Sequence, residues 1–343
     1  MISSVEISNF RGIKHLRLHN LGRLNVIVGP NGTAKTALLE GIYLAGGNTP
    51  ENLLKTKQWR GREGGEVSGD IQVLQNALWA DTFRDPDAGD AFVQIIDHSG
   101  NIRDVKIERI APTRVIGSEG VAGLTHVGMK FTWQAPEGRS EIIPKLSAQG
   151  IMMETAHPGP GVHFLPARMN VSEAETARTY SRLSVEGRAD TFEKAFYSEF
   201  PWLSDVGVEA PGIGPALYAR MANGRKLPLT MISGGISHLA GMMVRLAANP
   251  GCMLLIDEIE NGFYYDRYES IWRTLFSLAE SSDSQVFATS HSLECLKALS
   301  RALPGAAKDI RFIRSRMSST ADVSFQQMSG DGLFKAIEIG EVR

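Results

Sequence analysis

Apolar residues recur on two different periods along the 343-residue chain, and the switches between them mark its elements. Val5, Ile7 and Phe10 nearly alternate with polar neighbours, and Leu16 and Leu18 alternate again after Arg11-Gly12. That pattern predicts two short strands joined by a turn. Residues 24–28 form an apolar run broken only by Asn25 and ended by Gly29, which reads as a buried strand feeding a helix over 36–43. Residues 50–70 are polar and glycine-rich and read as a mobile loop, with a helix following over 71–83. Segments 92–96 and 105–110 flank His98-Ser-Gly-Asn101 as a hairpin, and strand-like text resumes over 127–133.

Helical signals dominate next. Ser172 with Glu175 has the form of a capping box, and Asp190 with Glu193 repeats it before Phe192, Phe196 and Phe200. Phenylalanines at that spacing are a core stripe rather than a ligand box. Asn223-Gly224 marks a hairpin turn; a helix entered through glycines runs over 232–247, and buried strands over 253–256 and 285–289. The last fifty residues hold a hairpin (310–313 and 323–325) and a helix over 333–339. The sum is an α/β protein with a mixed β-sheet and a helical insertion. Neither an internal repeat nor a sustained heptad is present.

Composition narrows the class. With 43% hydrophobic and 22% charged residues the chain buries a large core. A net charge of −2 supplies no global pull toward nucleic acid, so DNA contact needs a local patch; Lys55, Lys57, Arg60 and Arg62 form the one dense basic group. Cys252 and Cys295 lie in apolar segments, as buried reduced thiols of a cytoplasmic protein do. No signal-peptide pattern and no run of 18 to 20 apolar residues appears, so no membrane span is expected.

Gly29-Pro-Asn31-Gly32-Thr33-Ala34-Lys35-Thr36 sits between a predicted buried strand and a predicted helix, the context of a phosphate-binding loop. Backbone N–H groups of such a loop converge on phosphates, Lys35 reaches the β and γ oxygens of ATP, and the Thr36 hydroxyl ligates Mg²⁺. The usual second glycine is Ala34, whose methyl group is tolerated if that residue keeps a negative φ. A second apolar strand ends in Asp257-Glu258, where Asp257 holds the Mg²⁺ shell and Glu258 orients and deprotonates the attacking water. A third strand delivers His291 in Ala-Thr-Ser-His291-Ser to the same sheet edge, within reach of the γ-phosphate. Ser233-Gly234-Gly235 opens a helix whose N-terminus suits a phosphate.

Asn9-Phe10-Arg11-Gly12, the phosphate loop, Ser233-Gly234-Gly235, Ile-Asp257-Glu258-Ile-Glu260-Asn261-Gly262 and Thr-Ser-His291-Ser together resemble the ABC-type ATPases of the SMC/RecF/OLD group. IDEIENGFYYD followed by QVFATSHSLE looks most like the OLD-like ATPases of bacterial defence and abortive-infection systems. The resemblance covers residues 1–45 and about 227–343. It implies a P-loop ABC-type ATPase head with an N-terminal lobe over 1–110, an insertion over 111–226 and a C-terminal lobe over 227–343. It also implies a homodimer that sandwiches ATP, with Ser233 and Gly235 acting in trans and Glu260-Asn261-Gly262 at the dimer seam. The glutamine that usually follows the signature glycines is Ile236 here, and the glutamine linking Mg²⁺ to the insertion is Gln72 or Gln75.

OLD-type enzymes carry a Toprim nuclease after the head, and the fifty residues after His291 leave no room for one. The expected role is therefore a regulatory ATPase that holds or triggers a separately encoded nuclease or toxin in anti-phage defence. A RecF-like DNA clamp controlled by ATP is the alternative, and ATP as a structural ligand with slow turnover is a third.

Overall fold

The computed structural model describes residues 1–59, 79, 81–111, 114–115, 124–126, 128–147, 150–167, 172–212, 214–320 and 322–338. The chain opens with the hairpin β1 (Ile2–Phe10) and β2 (Ile13–Leu18), turning at Arg11-Gly12, then β3 (Leu24–Val28), α1 (Lys35–Gly46) and α2 (Glu51–Trp59). Strands β4 (Ala91–Asp97), β5 (Ile102–Arg109), β6 (Arg114–Val115), β7 (Leu124–His126), β8 (Met129–Ala135), β9 (Gly138–Ile142), β10 (Lys145–Ser147), β11 (Gly150–Met152) and β12 (Val162–Leu165) follow. Helices α3 (Glu173–Val185) and α4 (Ala189–Glu199) precede β13 (Leu203–Glu209), β14 (Ala216–Met221) and β15 (Lys226–Pro228). The remainder is α5 (Leu229–Ile232), α6 (Gly234–Ala248), β16 (Met253–Ile256), α7 (Tyr268–Ser281), β17 (Gln285–Ser290), α8 (Leu293–Ala302), β18 (Ile310–Met317), β19 (Val323–Ser329) and α9 (Gly330–Glu338).

The central sheet has the order β12-β16-β17-β3-β18-β19, parallel throughout except for the β18–β19 hairpin. Its inner strands β3, β16 and β17 are buried on both faces, as parallel strands covered on both sides must be. Alternate residues go to different cores. Val26, Leu254, Ile256 and Phe312 face a cluster built with α6, α7 and α8, whereas Ile27, Leu255, Phe287 and Ile313 face α1 and the antiparallel sheet β2-β1-β4-β5-β8-β9. Helix α1 thus lies between the two sheets, which explains why almost all of its residues are buried. Asn25, the polar break in β3, is satisfied in place: its amide exchanges hydrogen bonds with the backbone N–H and C=O of Gly22 at 3.0 and 2.7 Å.

The structure departs from the sequence reading at α2, at Lys57 and at the second capping signal. Residues 51–59 form α2 rather than loop: Thr56 donates to the Leu53 carbonyl and accepts from Arg11 at 2.8 Å, and Lys57 turns inward to Asp81 at 2.5 Å. Lys57 is consequently buried in an ion pair and does not belong to a solvent-facing basic patch; Arg60, Arg62, Gln72 and Gln75 lie outside the described residues, as does most of the helix expected over 71–83. The second capping signal also fails, because α4 begins at Ala189 with Arg188 at its N-cap, and Glu193 instead accepts from the Tyr180 hydroxyl at 2.7 Å. By contrast Ser172 does cap α3, accepting the Glu175 N–H at 3.3 Å. Cys252 and Cys295 are free and buried, and Phe192, Phe196 and Phe200 stack in the core.

Candidate nucleotide site

The C-terminal ends of β3, β16, β17 and β12 reach one edge of the parallel sheet, where open α/β sheets bind their ligands. Gly29 follows β3 with φ +150° and its α-carbon lies against β18: a β-carbon there would fall 2.3 Å from Ser315 Oγ. Only glycine fits both the backbone and the contact. Ser315, wholly buried, donates to the Val28 carbonyl at 3.0 Å and meets Thr33 Oγ1 at 2.6 Å, while Thr33 donates to the Pro30 carbonyl. The phosphate loop is braced from behind by these bonds.

Ala34 departs from the sequence expectation. Its φ of 58° and ψ of 21° put it in the left-handed region, not at negative φ. The methyl group has room because it faces Gly12 of the β1–β2 turn, where an added β-carbon would lie 3.3 Å from Ala34 Cβ. Lys35 then starts α1. Its ammonium donates to the carbonyls of Gly29 and Pro30 at 2.7 and 2.9 Å. Burial pulls the Lys35 pKa below the ordinary lysine value, opposed by the charges of Asp257, Glu258 and Glu260.

The Thr36 hydroxyl meets Asp257 Oδ1 and Oδ2 at 3.1 and 3.0 Å. Thr289 of β17 donates to Asp257 Oδ1 at 2.6 Å and accepts the Glu258 N–H at 2.7 Å, so one hydroxyl fixes both acidic residues. Glu258 has φ 54°, a strained conformation for a non-glycine residue, and its Oε2 accepts from Asn261, which also donates to the Ala167 carbonyl. These groups fit a divalent cation: Thr36 and Asp257 bring hard oxygen donors together beside the loop. Among the described residues no group of three or more His, Cys, Asp or Glu could hold a metal alone. Two hard oxygen donors beside the loop suit a Mg²⁺ that would complete its shell with water and substrate phosphates.

A cavity of about 630 Å³ opens here, lined by the loop from Asn31 to Thr36, Asp257 and Glu258, and also by Arg11, Trp59, Phe164 and Pro166. Sequence reading had no role for the last four. Arg11 is buried and binds Glu40 at 2.9 Å, Asp81 at 2.6 Å and Thr56, tying the β1–β2 turn to α1 and α2. Its place in Asn-Phe-Arg-Gly was the available signal. Trp59 stacks on Phe164 with ring centroids 5.0 Å apart, a contact between residues so distant in sequence that no local pattern announces it.

His291 follows β17 on the other side of the loop, lining a separate cavity of about 990 Å³ with Gly29, Pro30 and Asn31. Glu260 holds it, accepting the His291 N–H at 2.8 Å and lying 3.0 Å from Nδ1. Ser233 and Gly235 line neither cavity. They open α6 and line a third hollow, with Trp202, Gly262 and Tyr264, in which a β-carbon on Gly235 would fall 2.4 Å from the Gly262 carbonyl. The signature helix is thereby packed on the loop that follows β16.

The AAA domain family matches residues 4–134. An uncharacterized protein of Methanocaldococcus jannaschii is 48% identical over 44 residues, 13% of this chain and 20% of that protein. The DNA replication and repair protein RecF of Nitrosococcus oceani is 44% identical over 45 residues, 13% of this chain and 12% of its own. The match therefore spans a small part of either relative. An ATP/GTP phosphatase of Helicobacter pylori is 20% identical over 340 residues, covering 88% of both chains. In three dimensions the chain superimposes on an SmcHead solved with the C-winged helix domain of ScpA, with a TM-score of 0.53, 11% identity, and 96% of this chain and 99% of that one covered. Among the described residues no helix is long and apolar enough to cross a membrane. Phosphate loop, sheet order and these likenesses converge on the fold: residues 4–134 match the AAA domain family, and the chain has the α/β fold of an SMC head domain.

Proposed function

We propose that the protein is an ATP-controlled homodimeric switch that regulates or scaffolds a separately encoded effector, a nuclease or toxin, in bacterial antiviral defence. One observation supports the dimer above others: Ser233 and Gly235 lie apart from the phosphate-loop cavity, in a hollow of their own. Each chain then carries two half-sites, and two copies facing each other complete both. In this reading Gly29, Asn31, Gly32, Thr33, Ala34, Lys35 and Thr36 hold the phosphates of ATP on one copy, and Ser233, Gly234 and Gly235 of the other close over the γ-phosphate.

Thr36 and Asp257 would hold Mg²⁺, which when bound would neutralise charge on the phosphates. Glu258 orients and deprotonates the attacking water, and Lys35 leaves the Gly29 and Pro30 carbonyls for phosphate oxygens. The similarity of IDEIENGFYYD and QVFATSHSLE to OLD-like heads supports the defence role.

The RecF match favours a second reading, an ATP-controlled clamp on DNA. Affinity purification of the Glu258→Gln protein from its native host separates the two. A stoichiometric protein that co-purifies only with this ATP-trapped form supports effector control. Nucleic acid recovered without a protein partner contradicts it and favours the clamp.

A further inference from the structure

The network around the phosphate loop leaves one buried carboxylate without a role. Glu260 stands three residues after Asp257 and is buried, yet its two oxygens are used unequally. Oε1 accepts the backbone N–H of His291 at 2.8 Å and faces the His291 Nδ1 at 3.0 Å. Oε2 accepts no hydrogen bond among the described residues. Burying a carboxylate with half its capacity unused is costly, and a residue kept only for stability has cheaper apolar replacements. Its charge is moreover felt by the Lys35 ammonium, together with those of Asp257 and Glu258. Its geometric contacts tie Glu260 to His291.

We infer that Glu260 is a positioning residue for His291: it takes the Nδ1–H proton in a hydrogen bond, fixes the ring's tautomer, and leaves Nε2 for the cavity that His291 shares with Gly29, Pro30 and Asn31. An imidazole has two edges, and a carboxylate on Nδ1 decides what the other nitrogen presents. The backbone bond from His291 N–H to the same oxygen adds a second point of attachment, so the carboxylate sets both where the residue sits and how its ring is turned. The His291 side chain is half-exposed, so burial alone does not hold its ring, which makes the Glu260 contact decisive. The inference rests on the reading of His291 as a γ-phosphate contact.

A double-mutant cycle on the full chain tests it, with steady-state ATP hydrolysis of the wild type, Glu260→Gln, His291→Ala and the double variant. Each single change lowers kcat by about ten- to a hundredfold, the range for orienting partners of functional histidines, with KM nearly unchanged. The double variant is no slower than His291→Ala, because a positioning residue has nothing left to position. If Glu260→Gln costs as much on top of His291→Ala as it does in the wild type, or costs nothing in the wild type, the inference is overturned. If Glu260→Gln does not fold, ¹⁵N-histidine spectra of the wild type decide: the signal assigned to His291 shows a protonated Nδ1, and a protonated Nε2 with bare Nδ1 overturns the claim. Full activity of His291→Ala removes the γ-phosphate reading of His291 and this inference with it, while Lys35→Ala still reports separately on ATP hydrolysis at the loop.

Discussion

At the scale of single residues, backbone strain recurs around the nucleotide cavity, although Asn20, Asp205 and Asp283 also have positive φ elsewhere. Asn9, Arg11, Ala34 and Glu258 all have positive φ without being glycine, and Arg11, Ala34 and Glu258 line the nucleotide cavity. Such conformations cost on the order of 1–3 kcal/mol each and persist because their surroundings impose them. At Ala34 the strain is separable from function, since the phosphate loop offers its backbone rather than this methyl group. Ala34→Gly is expected to raise stability by about 1 kcal/mol in urea denaturation and to leave kcat within a few-fold of wild type. A loss of stability would show that the contact with Gly12 outweighs the strain. The motif Gly-x4-Ala-Lys-Thr was plain in the sequence, but the sign of φ at Ala34 was not, because it depends on Gly12, in an earlier turn, leaving space for the methyl.

Between elements, the site depends on Arg11 as a tie of the β1–β2 turn to α1 and α2. Glu40, its partner on α1, is almost fully buried and has lost its water. Arg11→Ala removes the cation that Glu40 pairs with in this buried cluster and is expected to destabilise the fold by about 3 kcal/mol or more, read as a shift in the urea midpoint. A midpoint like that of the wild type would mean the cluster is solvated. This cluster also explains why α2 was invisible to sequence reading: Lys55, Lys57 and Gln58 look like loop residues, and the helix turns inward only because Asp81 and Arg11 wait for Lys57 and Thr56. The strands β3, β16 and β17, by contrast, were legible almost to the residue, since burial on both faces demands a mainly apolar run. The charged end of such a run, Asp257-Glu258, was legible for the same reason. What escaped was everything made by residues distant in sequence, such as Trp59 on Phe164 or Asn261 between Glu258 and Ala167.

Considered whole, the molecule carries a built-in acid limit. Burial, reinforced by Arg245, holds the pKa of His163 and of His238 down to about 4. In the unfolded chain both titrate near their ordinary value of about 6.5, so between these pH values the unfolded state binds more protons. Stability is complete above about pH 6.5 and falls as pH drops toward 4, by at most about 2 kcal/mol per histidine at pH 5. Denaturation at pH 7 and pH 5 measures this, and His163→Asn should flatten the slope; an unchanged slope would place the loss elsewhere.

The larger claim concerns two copies. A phosphate loop on one cavity and Ser233 with Gly235 on another would, in the proposed dimer, make each chain half of two nucleotide sites. The direct measurement is sedimentation velocity of Glu258→Gln with and without ATP and Mg²⁺. The account predicts a monomer without nucleotide, twice that mass with it, and a monomer again when Ser233→Arg is added. A Glu258→Gln protein that binds ATP and Mg²⁺ and still sediments as a monomer would contradict it.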